Sequence, residues 1–244
     1  MTRALDLLDS RALDPSLLPR PARDRSRQAA PQVFDYLRDQ IISLALPPGT
    51  VLPRAAVQGL FGVSSTPVRD ALMRLQEEGL VEVFPQHATR VSPIDLAQAG
   101  RTQFLRRSIE QEAARMLCAE SARPAAVTAL QGAIARQQAL LDAGDLEGFE
   151  LADRAFHASL CEAAGAGELW ALVRRSSGHI DRLRRLNLPL AGKAPQIIRD
   201  HEAILAGIAA GDVPAAQSAV RDHLSRSLAS VGAMRQELPH YFTD

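Results

Sequence analysis

Cysteine, lysine and long apolar runs are scarce in this chain, and each scarcity excludes something. Two cysteines in 244 residues, Cys118 and Cys161, cannot build a disulfide framework. Both read as reduced core residues of helices, and neither has a partner cysteine nearby in sequence for a redox pair. Lys193 is the one lysine among 28 basic residues, and with abundant alanine this reads as codon bias rather than function. No apolar run reaches the roughly 18 to 20 residues of a membrane span. Asp6 and Asp9 interrupt the apolar stretch at the N-terminus, so it does not read as a secretory signal. Neither charge sign is in excess, with 28 acidic against 28 basic residues, and the hydrophobic share is 46%. That excludes wholesale disorder and a polybasic coat for nucleic acid, but not a local basic patch. A cytosolic protein with no membrane partner is expected.

What is present falls into three segments. Residues 1–30 are rich in Arg, Asp and Pro and are expected to form a flexible arm. Arg20, Arg23, Arg25 and Arg27 lie within eight residues there. They read either as a solvated tail or as a basic arm that touches phosphate or a DNA groove. Residues 31–92 then run helix, helix, turn, helix, two-stranded wing. Val33, Tyr36, Leu37, Ile41 and Leu44 paint one helical face, and Pro47-Pro48-Gly49 ends it. Phe61-Gly62-Val63 turns, and Thr66-Pro67 opens the next helix, which Gly79 terminates. The stretch 80–84 alternates as a strand and 89–92 returns. Residues 93–244 read as helices at about 95–121, 124–143, 145–164, 167–188, 194–210 and 213–236. The expected fold is mainly α: a winged helix-turn-helix domain followed by an all-helical bundle of about six helices.

A helix entering the major groove needs polar residues near its N-terminus and an apolar face behind. Ser64, Ser65 and Thr66 supply hydroxyls there, Arg69 can reach a base edge or phosphate, and Val68, Leu72 and Leu75 form the inner face. Arg38, Arg54, Arg74 and Arg90, with His87 at the wing tip, complete the candidate DNA contacts. Leu46-Pro47-Pro48-Gly49-Thr50, Phe61-Gly62-Val63-Ser64, Thr66-Pro67-Val68-Arg69-Asp70-Ala71-Leu72 and Glu78-Gly79-Leu80-Val81 carry a resemblance. Residues 32–92 resemble the DNA-binding domain of GntR-type bacterial transcription regulators. The resemblance implies operator DNA as partner and a homodimer on a palindromic site. Ser65 stands where that family usually has Arg, and His87-Ala88 where it has glycine, so the family's operator does not transfer. Five arginines against six acids in residues 31–92 leave the domain one charge negative. Its hold on phosphate must come from placement, and pairing on DNA would compensate.

The helical region has a second constellation. Asp153 and His157 are four residues apart on an amphipathic helix, with Phe149, Phe156 and Leu160 on the same broad face. His201 precedes Ile204 and Ile208 at helical steps, and His223 lies between Val220 and Leu224. Read alone, each histidine is more often a core residue bonded to a carboxylate than a metal ligand. Residues of about 95–235, through Arg106-Arg107-Ser108-Ile109-Glu110, Asp153-Arg154-Ala155-Phe156-His157, Asp200-His201-Glu202-Ala203-Ile204 and Arg221-Asp222-His223-Leu224, resemble the FCD-type ligand-binding domain of the FadR branch of that family. The resemblance implies a divalent metal on Asp153, His157, His201 and His223. Zinc is the first choice, with nickel, manganese or iron as alternatives. It also implies a small organic or sugar acid as effector rather than an acyl-CoA.

Four protein ligands leave one or two positions on an octahedral ion for a carboxylate. Arg106, Arg175, His179 and Arg182 are the candidate effector contacts, since arginine matches a carboxylate with two hydrogen bonds. Some of Arg174, Arg175, Arg182, Arg184 and Arg185 must instead form a solvated face. Effector binding would lower operator affinity, making the chain a ligand-responsive repressor. Two other readings stand beside this one: a metal-dependent hydrolase, which lacks a His-Glu-x-x-His pattern and a nucleophile elbow, and a sensor of the metal itself.

Overall fold

The computed structural model describes residues 12–84, 88–119, 121–190, 192–228 and 231–243. They form two compact units, the described residues of Met1–Leu96 with Arg235–Asp244, and of Ala97–Met234. The first unit runs to Leu96, against an expected boundary at residue 92, and takes in the C-terminal segment as well. The last ten residues, assigned from sequence to the helical domain, belong to the first unit. Ile94 explains this: it pairs with Phe242 as an isolated bridge, its N–H donating to the Tyr241 carbonyl at 2.7 Å.

In the first unit, α1 (Ala29–Ile42), α2 (Arg54–Phe61) and α3 (Ser65–Glu77) precede β1 (Val81–Phe84) and β2 (Ala88–Val91). The helices follow the apolar spacing. Val33, Leu37 and Ile41 of α1 meet Val68, Leu72 and Leu75 of α3 in one core that also takes Val57 and Phe61 of α2. Gly62 ends α2 in the left-handed region at φ 60°, a conformation that frees the chain to reverse into α3. The wing strands pair antiparallel, Val81 opposite Val91 and Phe84 opposite Ala88. The wing tip, including His87, lies outside the described residues.

The arm corrects the expectation over much of its length. Residues 12–28 are packed rather than free. Leu13 and Leu18 are buried in the same core, and a single 3-10 turn spans Pro15–Leu17. Leu13 N–H donates to the Val51 carbonyl at 2.8 Å, so Ala12 pairs with Val51, which itself pairs with Arg90 of β2. The apolar Leu-x-x-x-x-Leu spacing inside an otherwise polar stretch was the local signal.

The second unit holds α4 (Leu96–Leu117, entering from the boundary), α5 (Arg123–Asp142), α6 (Leu146–Ala163), α7 (Gly167–Ser176), α8 (Gly178–Asn187), α9 (Lys193–Ala210) and α10 (Val213–Ser225). A 3-10 turn at Arg226–Leu228 follows, then α11 (Val231–Glu237), whose last three residues fall in the first unit. Among the described residues this makes eight α-helices where about six were expected. Two long periodic stretches are each divided. The stretch 167–188 breaks at Ser177, whose hydroxyl bonds the Arg174 carbonyl at 2.9 Å and the Asp181 carboxylate at 2.8 Å. Such local bonds compete with the helical ladder, and Gly178 gives it little support. Among the described residues no helix is long and apolar enough to cross a membrane.

Helix α9 packs on α10 and α5, and α5 on α6. Gly207 of α9 sets the closest approach. A Cβ there would lie 2.6 Å from the Ala216 nitrogen and 2.7 Å from its Cα. Gly207→Ala gains up to about 1 kcal/mol in helix propensity, but it must push the α9 and α10 backbones away from each other, and overpacking of this kind costs about 1–3 kcal/mol. We expect a net loss of stability, read as a lower midpoint in urea unfolding. An unchanged or higher midpoint would refute this account of the α9–α10 contact.

Candidate metal centre and nucleic-acid interface

Four side chains from three helices meet in the second unit. Asp153 and His157 point inward from α6 at one-turn spacing, His201 from α9 and His223 from α10, all of them buried. Their candidate ligand atoms lie within 4.8 Å of one another. The Nε2 atom of His223 is 3.3 Å from Nε2 of both His201 and His157. The Asp153 carboxylate approaches His201 Nε2 at 3.6 Å and His157 Nε2 at 3.9 Å.

Each imidazole is held from behind by an acceptor on its other nitrogen. His157 Nδ1 donates to Glu110 at 2.6 Å, His201 Nδ1 to the Gln137 carbonyl oxygen at 2.8 Å, and His223 Nδ1 to Asp200 at 3.3 Å. Carboxylate and amide oxygens only accept, so the proton sits on Nδ1 and the inner Nε2 presents a lone pair. Phe156 stacks on the His201 ring with centroids 3.7 Å apart. The three rings therefore aim bare nitrogens at one point.

Electrostatics agree. Burial holds His157 below the ordinary histidine range, burial with the neighbouring imidazoles holds His201 well below it, and burial brings His223 down to about 4 against the pull of Asp200. Burial alone would raise Glu110, but Arg106 and His157 overcome it and bring the carboxyl down to about 2. Burial likewise opposes ionisation of Asp200, and hydrogen bonds from His223 and Arg226 bring it to about 2. The outer carboxylates of Glu110 and Asp200 are thus ionised and the inner rings neutral. Lone pairs facing one another at this spacing cannot hydrogen-bond, and Asp153 Oδ1 is buried without a hydrogen-bond partner. Three neutral imidazoles and one carboxylate fit a divalent cation.

The orienting residues were not assigned roles from the sequence. Glu110 closes the Arg106–Glu110 motif, one helical turn beyond Arg106. Gln137 carried a legible signal, a polar side chain on the buried stripe of Ala126, Leu130 and Ile134. Arg184, one of five arginines of which some were expected to form a solvated face, meets the Asp153 carboxylate and lines a cavity beside it with Asn187, Lys193, Asp200, His223 and Arg226.

The expected effector contacts separate. Arg106 is buried, pairs with Glu110 at 2.9 Å and lies over Trp170, leaving its Nη2 without a hydrogen-bond partner. Arg182 is fully buried and its Nη2 donates to His179 Nδ1 at 2.9 Å. None of these three lines the cavity beside Asp153. Arg175 is exposed at the end of α7, because the break at Ser177 interrupts the stripe that was to join it to His179.

In the first unit Ser64 occupies the N-cap of α3 in extended conformation, yet its side chain makes no capping bond. Ser64, Ser65, Thr66 and Arg69 are all exposed on one end of this helix. Arg54 is exposed at the start of α2. Arg74 is exposed and stacks on Phe34, 4.0 Å from the ring centroid. Arg90 lies on β2, half-buried. Arg38 is bound to Glu78 at 2.7 Å with little of either side chain exposed, so it ties α1 to the end of α3.

Comparison with known proteins accords with both halves. Residues 29–91 match the family described as bacterial regulatory proteins, gntR family, and residues 103–226 match the FCD domain. An HTH-type transcriptional regulator in an unstable DNA locus of Streptomyces ambofaciens is 36% identical over 91% of this chain and 92% of its own length. The chain belongs to the GntR family of bacterial regulatory proteins. The repressor RspR of Escherichia coli is 28% identical over 87% of this regulator and 93% of its own length. The solved structure of E. coli McbR/YncC shares the fold, with a TM-score of 0.71 at 21% identity over 85% of this regulator and 99% of that chain. This regulator is a DNA-binding transcription factor and not an enzyme.

Removing Glu110 tests the outer shell. Glu110→Ala leaves Arg106 buried without its carboxylate and His157 without its acceptor. Breaking a buried pair in this way costs about 3–5 kcal/mol. Glu112→Ala, on the exposed side of the same helix, should leave the urea midpoint where it was. Equal effects of the two would deny Glu110 its place in the buried network.

Proposed function

We propose that this regulator is a homodimeric repressor whose helical domain holds one divalent ion, zinc first among the candidates, and responds to a small organic or sugar acid. The observation that carries the reading is the convergence of three Nε2 lone pairs and an unpartnered Asp153 oxygen, with every Nδ1 engaged from outside. Asp153, His157, His201 and His223 would hold the ion. When bound, it supplies a site for a carboxylate oxygen. Arg184, already against the Asp153 carboxylate, and Arg226 and Lys193 on the same cavity supply the cationic surround. Arg106 offers an Nη2 with a hydrogen bond to spare. Repression is supported by the similarity to RspR, a transcriptional repressor. The effector changes operator affinity only so far as it binds two states of the dimer unequally.

Bound metal is counted by elemental analysis of the purified regulator before and after chelation. His201→Ala should remove the metal, and Gln137→Leu, which alters no ligand, should weaken it about 10–100-fold. Arg69→Ala should keep the metal and lose affinity for genomic DNA fragments that the wild type retains. Metal loss in the Arg69 variant would signal misfolding instead. A panel of small organic and sugar acids then goes into a thermal-shift screen of loaded and chelated protein. An acid that stabilises only the loaded form supports the carboxylate sensor. A large fall in melting temperature on chelation with no response to any acid would leave the ion purely structural and overturn the effector reading.

A further inference from the structure

We propose that residues 12–28 form a second DNA-contacting element, docked on the winged helix-turn-helix and holding Arg20, Arg23, Arg25 and Arg27 where they take backbone phosphates beside the bases addressed by α3. The segment is anchored along its length. Leu13 and Leu18 are buried in the domain core, and Leu13 N–H bonds the Val51 carbonyl. Tyr36 of α1 donates its hydroxyl to the Pro19 carbonyl at 2.5 Å, while its ring packs edge-on against Phe61 at the end of α2. Arg23 Nη1 reaches the Gly62 carbonyl at 3.3 Å. Gly62 is the turn of the helix-turn-helix, two residues before the N-cap Ser64. Arg23 therefore sits beside the end of α3 that carries Ser65, Thr66 and Arg69, and Arg20, Arg25 and Arg27 lie within four residues of it in the chain.

Charge gives the segment its role. Residues 31–92 are one charge negative, and residues 12–30 add four arginines against two aspartates, which leaves the stretch 12–92 one charge positive. Both aspartates are engaged in local turns. Asp14 accepts from the Ser16 amide at 2.9 Å and hydroxyl at 2.7 Å, and Asp24 from the Ser26 amide at 2.8 Å and hydroxyl at 2.6 Å. The four arginines are exposed. A docked segment has already lost its ordering entropy, so its phosphate contacts carry less cost than those of a disordered tail. Phosphate contacts orient and strengthen binding without reading sequence.

The proposal rests on DNA binding through α3, and the test separates the two. Binding of the full-length regulator to a fluorescent 30-base-pair random-sequence duplex is followed by anisotropy at several salt concentrations. Each phosphate contact contributes about 0.9 to the slope of log K against log salt. The quadruple variant Arg20→Ala, Arg23→Ala, Arg25→Ala, Arg27→Ala, which keeps Leu13, Leu18 and Tyr36, should lower that slope by about 2–4. It should keep the base preference that the wild type shows among selected genomic fragments. A second variant, Leu13→Asp with Leu18→Asp, keeps the arginines and frees the segment, and should lose affinity as well. An unchanged slope in the quadruple variant overturns the proposal. Wild-type affinity in the undocked variant overturns the claim that docking positions the arginines. If Arg69→Ala leaves binding intact while the arm variants abolish it, binding through α3 fails and the proposal falls with it.

Discussion

Three imidazole lone pairs aimed at one buried point set the terms for the helical unit. Neutral histidines are easily buried, but not with bare nitrogens 3.3 Å apart. That arrangement persists only because something outside fixes each ring: Glu110 on α4, Gln137 on α5 and Asp200 on α9. Those residues come from different helices, so the packing of the bundle and the geometry of its centre depend on each other. The glycine contact between α9 and α10 belongs to the same system, because it sets how near His201 and His223 can come. Phe156 serves both ends: one side chain fills the core and steadies a ring.

The DNA-binding unit follows a different logic. Its core cluster is apolar, and the polar side chains at the entry to α3 stay at the surface, including an N-cap serine that makes no capping bond. The two units therefore separate two tasks. One keeps hydroxyls and guanidinium groups at the surface for a large polyanion. The other buries charge and pairs it closely, as Arg106 with Glu110 and Asp181 with Arg174. Burial holds Arg182 and Arg184 down to about 9, and of the two only Arg184 lines the cavity beside Asp153.

Much of this was legible in the residues themselves. Apolar periodicity located α1, α3, α6, α9 and α10, and the alternation around Val81 located the wing, since burial of one face leaves a pattern in sequence. The inward direction of Asp153, His157, His201 and His223 was also visible from their apolar neighbours. Their convergence was not, because no local pattern joins α6, α9 and α10; the resemblance to a family supplied it. The break at Ser177 was hidden because periodicity continues in register across it, while the decision rests on a serine hydroxyl and an aspartate four residues on. Arg175 was misplaced for that reason. Arg184 was overlooked because an arginine among arginines looks like a solvated face until a carboxylate on another helix claims it. The packing of residues 12–28 hung on two leucines in a stretch whose composition otherwise described a tail.

The scarcity of lysine takes on meaning once the cavity is in view. Lys193, the chain's one lysine, opens α9 on the rim of the cavity beside Asp153 and His223. Every other basic side chain of the lysine–arginine class is a guanidinium, inert to reagents that acylate amines. A covalent reporter for amines is thereby directed, among the side chains, to the mouth of that cavity, with no engineered attachment point. The rarity that says least about function in the sequence makes the pocket chemically addressable.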